Sequence, residues 1–344
     1  MPPIPSIQKR HQHHTAHSPY EWKERREFSH NWKAKFRGNA QVITTDLAWT
    51  NLITPPNPRV TTTLEEGLEL SKHLTLLQGI PKDGGKDGLD VQPVTVFHSA
   101  DEDPEQLLVY MRGGLSLPDR NKDLCRLMVD AIEKYTTLAP PPKPSSDERH
   151  EMEQARKAEH EGKKWGVYHL GLWHATGQPH TPPTLCSDMR RTGAGFGATL
   201  ALYKTMAPLA QTIGRLFQEI DPRAYQQYRQ NYLGECAATP ELEVFKFSNR
   251  SCWHCLAILI NAQVGPHKDN HDVLDGWVAM ACFGEFEGGE LCLPALGYRI
   301  PFQPGDVVLF RSAVLEHWIA PFEGTRYSCV FFTKQSNWQP GEEE

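Results

Sequence analysis

Up to about residue 240 the apolar residues recur mostly at intervals of three and four, and beyond it they fall in short β-prone runs cut by glycine and proline. Leu64, Leu68, Leu70 and Leu74 give residues 61–78 an apolar face and predict a helix. Leu124, Leu127, Met128, Ala131, Ile132 and Tyr135 do the same for residues 119–135, and the proline-rich stretch 140–144 stops that helix. Residues 165–173 read as a strand. Residues 194–220 predict a long helix interrupted or kinked by Pro208. Asp221 and Pro222 then restart a helix as N-cap and first helical residue, with Gly234 as its expected end. Tyr225, Tyr228 and Tyr232 share one face of it, a stripe read as core packing. These helices are expected to buttress a sheet.

The C-terminal runs predict that sheet. Residues 256–263 are strongly β-prone and are broken by Gly265-Pro266. Residues 284–294 read as a glycine-rich turn feeding a strand, and residues 300–311 carry Pro304-Gly305-Asp306 between two apolar strands. Residues 314–320 are strand-like. Residues 326–333 form a closing strand that sets Arg326 and Ser328 on one face.

Chemistry enters with His267, Lys268 and Asp269. In an extended segment positions 267 and 269 point the same way, so both can reach one metal, and Lys268 points away. A third ligand has to come from a strand brought close in space, and His317 lies in such a run. Two neutral imidazoles and one carboxylate leave three positions of an octahedral shell open, which suits a redox-active Fe(II). A bidentate 2-oxo acid and O2 fill three positions. Arg326 follows His317 by nine residues. Its planar fork binds a carboxylate bidentately and stays charged when buried.

With these motifs, residues 244–333 resemble the double-stranded β-helix (jelly-roll) core of the 2-oxoglutarate/Fe(II)-dependent dioxygenases. Within that superfamily, residues 261–272 and 284–294 are similar to the fungal Tet/JBP-like oxygenases, which oxidise the methyl group of methylated DNA bases. The resemblance implies an α+β fold with a jelly-roll core. It implies His267, Asp269 and His317 as iron ligands and Arg326 as the grip on the distal carboxylate of 2-oxoglutarate, with Ser328 as helper. Asn261 matches a strand position from which relatives contact the co-substrate. The implied reaction is oxidation of 5-methylcytosine, with N6-methyladenine next, in duplex DNA with a flipped base. Asn249, Arg250, His271, Asp272 and Trp277 are the candidate substrate contacts. The alternatives are a 2-oxoglutarate oxygenase acting on a protein side chain or small molecule, and a non-catalytic jelly-roll binding module.

Composition changes this picture little. With 344 residues, nine Trp and 10% aromatics the chain has ample material for a core. Three regions are expected: a basic arm at 1–40, a mainly helical region at 41–240 with an exposed charged segment near 140–162, and the jelly roll at 241–338. No apolar run reaches the length of a membrane span and no secretion signal is evident, so a nuclear or cytoplasmic location is expected. The formal net charge is −6, yet residues 1–37 carry eight Lys/Arg against three acids and five histidines besides. This arm could follow a phosphate backbone. Residues 82–88 read as a flexible loop rather than a phosphate loop. The eight cysteines are expected to be free thiols, Cys252 and Cys255 as buried strand residues rather than a metal or redox pair. His174 and His180 are expected in surface or hydrogen-bonded roles.

Overall fold

The apolar, β-prone C-terminal runs build the centre of the main sheet. The computed structural model describes residues 40–54, 60, 62–78, 94–116, 123–141, 160–174, 181–190, 193–239, 244–248 and 250–338. The arm at 1–39, the loop at 82–88, most of the charged segment (142–159), His180 and Asn249 lie outside these residues.

The strands are β1 (Ala40–Thr44), β2 (Thr75–Leu76), β3 (Val94–His98), β4 (Gln106–Met111), β5 (Gly166–Trp173), β6 (Thr184–Leu185) and β7 (Cys255–Ile260). They continue with β8 (Val278–Gly288), β9 (Leu291–Leu293), β10 (Tyr298–Ile300), β11 (Val307–Phe310), β12 (Trp318–Ile319) and β13 (Phe322–Phe332). Nine of them form one sheet in the order β1-β3-β4-β11-β8-β13-β7-β5-β6, antiparallel except for β1 with β3. The order of the second sheet is β12-β9-β10-β2. The two sheets face each other across one core. Val278, Met280, Cys282, Val308 and Phe310 of the large sheet meet Leu291, Leu293, Ile300 and Ile319 of the small one. This is the double-stranded β-helix, in an α+β fold.

Period two decides what each face meets. On β13, Arg326, Ser328, Val330 and Phe332 look inward on a cavity, while Phe331 turns outward to meet Phe247 edge-on and Trp253 at a tilt. On β5, Val167 and His169 line the cavity, and Tyr168 turns outward to Tyr135. The outward face is covered by helices α3 (Leu124–Leu138), α4 (Ala194–Ile220) and α5 (Pro222–Ala238), with two shorter helices, α1 (Trp49–Ile53) and α2 (Leu64–Ser71), earlier in the chain. Among the described residues no helix is long and apolar enough to cross a membrane.

Several expectations shift in detail. The expected helix at 61–78 is cut to Leu64–Ser71. Thr63 and Glu66 close a capping box at its start, Leu70 is exposed, and residues 75–76 leave to pair with β10. The helix at 119–135 shifts to Leu124–Leu138 and exposes Leu127. Asp221 caps α5 as expected, but the helix runs past Gly234 to bury Glu235 and Cys236. Residues 284–288 belong to β8, with the turn at Gly288-Gly289, and only Trp318–Ile319 of residues 314–320 form a strand. The strand expected at 165–173 is β5; the larger difference concerns the rest of residues 41–240, where β1, β3, β4 and β6 also extend the main sheet. Four of the five residues of β3 and five of the six of β4 are buried, so neither carries the alternation that marks a one-sided strand. From Ala40 onward the chain is one compact unit.

Candidate metal and co-substrate site

The break at Gly265-Pro266 releases the chain from β7 and lays His267 beside His317. The two form an isolated antiparallel bridge: the His267 amide donates to the His317 carbonyl at 3.1 Å, and the reverse bond is 2.9 Å. The Asp269 amide donates to the Ser312 carbonyl at 3.1 Å. Helix α2 braces the loop from behind. A Cβ at Gly67 would lie 2.6 Å from Pro266 Cγ, so glycine is what permits the helix to approach.

Each imidazole donates from Nδ1 to a carbonyl two residues earlier, His267 to Gly265 at 2.8 Å and His317 to Leu315 at 2.9 Å. A carbonyl only accepts, so Nδ1 carries the proton and Nε2 presents its lone pair. The His267 Nε2 lies 3.6 Å from one Asp269 oxygen and the His317 Nε2 3.8 Å from the other. One ligand atom from each of the three residues lies within 4.8 Å of the others. Two neutral imidazoles and a carboxylate are a donor set that fits Fe(II).

Arg326 stands in the same cavity wall. It is 2% exposed, and its guanidinium lies 5.3, 5.5 and 5.6 Å from the ring centroids of Phe286, Phe302 and Phe322. Gly289, at φ 71°, leaves room beside it, since a Cβ there would lie 3.2 Å from Arg326 Nε. Burial lowers the arginine's pKa, but a guanidinium remains a cation. Its Nε and Nη2 and the hydroxyl of Ser328, also 2% exposed, are buried without a hydrogen-bond partner. An uncompensated buried cation costs several kcal/mol, on the order of 3–5. The rings contribute cation–π attraction but accept no hydrogen bond. A cation with two N–H groups and a hydroxyl on one strand face, unmatched by an acceptor among the described residues, are complementary to a carboxylate.

The triad, Arg326 and Ser328 line one cavity of about 290 Å³. His271 and Asp272 line it too, beside Asn270, as do Val167, His169 and Trp173 from β5, and Lys334, whose ammonium lies 3.9 Å from the Trp173 ring centroid. The other candidates lie elsewhere. Trp277 is buried in the helix layer, donating its indole N–H to Asp221 at 3.0 Å under the Arg311 guanidinium, so it fills the core. Arg250 bonds Gln218 at 3.0 Å in a separate surface pocket with Tyr225 and Arg229. Asn261, just past β7, does not line the cavity; its side chain bonds the Lys164 carbonyl and the Arg326 amide. His174 is buried and bonded to Glu235 at 3.0 Å. Cys252 and Cys255 are buried free thiols, but only Cys255 stands in a strand, the start of β7.

His169, Trp173 and Lys334 escaped the sequence reading, although the signal was there. Lys334, two residues past the closing strand, keeps the parity of Arg326 and Ser328, and His169 and Trp173 share the parity of Val167.

Fold and site together define a jelly-roll oxygenase architecture, and the comparisons agree. Residues 183–335 match the Tet_JBP model, described as the oxygenase domain of the 2OGFeDO superfamily. Among solved structures, NgTET1 in complex with 5mC DNA aligns with a TM-score of 0.52 at 16% identity over 92% of each chain. A 2OG-Fe(II) oxygenase family oxidoreductase from Burkholderia pseudomallei aligns with a TM-score of 0.35 at 13% identity, over 62% of this chain and 82% of that one. OsALKBH1 gives 0.34 at 12%, over 66% and 96%. At these identities the first speaks for the fold alone, and the other two bear no argument. No curated protein matches the sequence significantly. Residues 183–335 of the chain carry a Tet/JBP-type oxygenase domain of the 2-oxoglutarate/Fe(II)-dependent superfamily. Its cofactors are Fe(II), 2-oxoglutarate and O2.

Proposed function

We propose that this dioxygenase oxidises the methyl group of a methylated DNA base, 5-methylcytosine first and N6-methyladenine second. His267, Asp269 and His317 hold the iron, and Arg326 with Ser328 holds the distal carboxylate of 2-oxoglutarate. The observation that carries the site assignment is the buried Arg326 guanidinium, whose Nε and Nη2 lack acceptors in the wall that also holds the triad. When bound, the iron supplies activation of O2 with oxidative decarboxylation of 2-oxoglutarate to succinate and CO2. The chain itself supplies orientation: the two Nδ1 bonds fix the imidazoles, and the aromatic collar around Arg326 keeps water off the carboxylate grip.

The substrate reading rests on the Tet_JBP match and on a like-folded protein whose structure holds 5mC DNA. The mouth offers suitable groups: His271, Asp272 and Asn270 for reading a polar base edge, and Trp173 and His169 for stacking. Among the described lining residues the cations Lys334 and Arg326 are matched by Asp269 and Asp272, so the cavity lining is not a basic groove. Phosphate contact falls to other segments, of which the basic arm at 1–40 is the first candidate.

The test is nucleoside mass spectrometry after incubating the protein with Fe(II), 2-oxoglutarate and duplexes bearing either methylated base, with succinate followed in parallel. Hydroxymethylcytosine is expected, with succinate that depends on methylated DNA. Succinate release that needs a peptide or metabolite instead, with every base unchanged, overturns the DNA reading.

A further inference from the structure

We propose that Asn261 is a positioning residue for the co-substrate: it replaces the strand partner that β7 no longer provides and thereby sets the backbone of Arg326. The inference rests on Arg326 being the carboxylate grip. At Ile260 the β7–β13 ladder ends, paired with Tyr327, and Asn261 turns out of the strand at φ 50°, the only positive φ outside glycine among the described residues. Asparagine tolerates this left-handed conformation better than most residues. Its amide still donates to the Arg326 carbonyl at 2.8 Å, but the returning bond comes from its side chain, whose Oδ1 accepts the Arg326 amide at 2.8 Å. Its Nδ2 donates to the Lys164 carbonyl at 2.7 Å, two residues before β5.

One side chain therefore joins the root of β5 to Arg326. The clamp continues outward. Lys164 bonds Thr136 at 2.7 Å and also the carboxylate of Glu133 on α3, which takes the Tyr327 hydroxyl as well. Without Oδ1 the Arg326 amide loses its acceptor where the ladder has ended. The guanidinium is held at its root by this bond and at its tip by rings that cannot bond it. A shift at the root moves the tip relative to the iron ligands, which stand on separate segments.

The discriminating experiment is calorimetric titration of 2-oxoglutarate into the Mn(II)-loaded protein, with Mn(II) affinity and thermal unfolding measured beside it. Asn261→Gly keeps the backbone conformation and removes both side-chain bonds. Asn261→Asp keeps the acceptor for the Arg326 amide and loses the donor to Lys164. We expect Asn261→Gly to weaken 2-oxoglutarate about tenfold, the worth of about one hydrogen bond, with Mn(II) affinity within twofold of wild type. Asn261→Asp should return to within threefold of wild type. If Asn261→Gly lowers Tm and leaves 2-oxoglutarate affinity unchanged, or weakens metal and co-substrate alike, the residue is structural only and the proposal fails. Arg326→Lys tests the underlying reading separately, because unaltered 2-oxoglutarate affinity in that variant removes the grip assignment itself.

Discussion

At the scale of single residues, the site depends on which atoms are left to face the cavity. His267 and His317 spend Nδ1 on carbonyls and keep Nε2 for a ligand, and Asp269 lies between them. Removing the carboxylate should abolish tight metal binding with little effect on the metal-free fold, because Asp269 lies at the edge of the cavity and its side chain is 25% exposed. Metal present at a hundredfold over its Kd stabilises a folded protein by about 2.7 kcal/mol. Scanning calorimetry of Asp269→Ala with and without Mn(II) should therefore show the wild-type metal-free Tm and no rise on adding metal. A rise equal to that of wild type would take Asp269 out of the ligand set. This part of the molecule was legible in the sequence, because the spacing of His267, Asp269, His317 and Arg326 is covalent information and the turns between them are glycine and proline. Trp277 and Arg250 were not legible. Both stand close to the motif in sequence, but Trp277 sits against Asp221 and Arg311, and Arg250 sits against Gln218.

At the scale of elements, the junction of α4 and α5 shows how one side chain fixes two layers. Asp221 ends α4 and caps α5, its Oδ1 accepting the Ala224 amide at 2.9 Å, while Oδ2 accepts the Trp277 indole at 3.0 Å. The Arg311 guanidinium lies 3.9 Å from the same oxygen. Loss of a cap costs about 0.5–2 kcal/mol, and orphaning a buried indole N–H costs about 1–3 more. Asp221→Ala should thus destabilise by roughly 2–4 kcal/mol in urea unfolding, and Asp221→Asn, which keeps the capping oxygen, should recover part of the loss. An alanine variant within 0.5 kcal/mol of wild type would contradict the junction as described. The helices α4 and α5 were legible because a proline, a cap and a 3.6-residue stripe mark them locally. Strands β3 and β4 were not: they are buried without alternation like β7 and β11, and what defines them is pairing with β1 and β11. The cavity mouth was missed for the same reason: β5 reaches it only through its pairing with β7.

At the scale of the whole molecule, two buried carboxyls tie distant elements and push stability in opposite directions with pH. Glu235 on α5 accepts His174 at 3.0 Å and Asn337 at 3.0 Å and lies 3.2 Å from His254, joining α5 to the end of β5, the entry to β7 and the chain beyond β13. Burial raises its pKa, but His254, His174 and Asn337 together lower it more, to a net value below the usual one. A depressed carboxyl contributes stability above its unfolded value, and that contribution is lost as pH falls through the folded value. Asp306, in the turn before β11, accepts Gly113 at 2.6 Å, Gln303 at 2.9 Å and Tyr110 at 2.8 Å, yet burial outweighs these bonds and pushes its pKa up to about 6. Here the folded state binds the extra proton between the unfolded value of about 4 and the folded value of about 6, so stability falls as pH rises across that window. A shift of this size amounts to roughly 3 kcal/mol at most. Urea unfolding at a series of pH values separates the two. The stability lost on Asp306→Asn should shrink as pH rises from 4 to 7, because wild type forfeits its protonated carboxyl over that range and asparagine has none to forfeit. The loss on Glu235→Gln should instead be full at pH 6 and fade below the usual glutamate range. An Asp306→Asn deficit that is flat or grows with pH would show that the three hydrogen bonds outweigh burial, and that the turn closing β11 onto β4 holds an ionised carboxylate throughout.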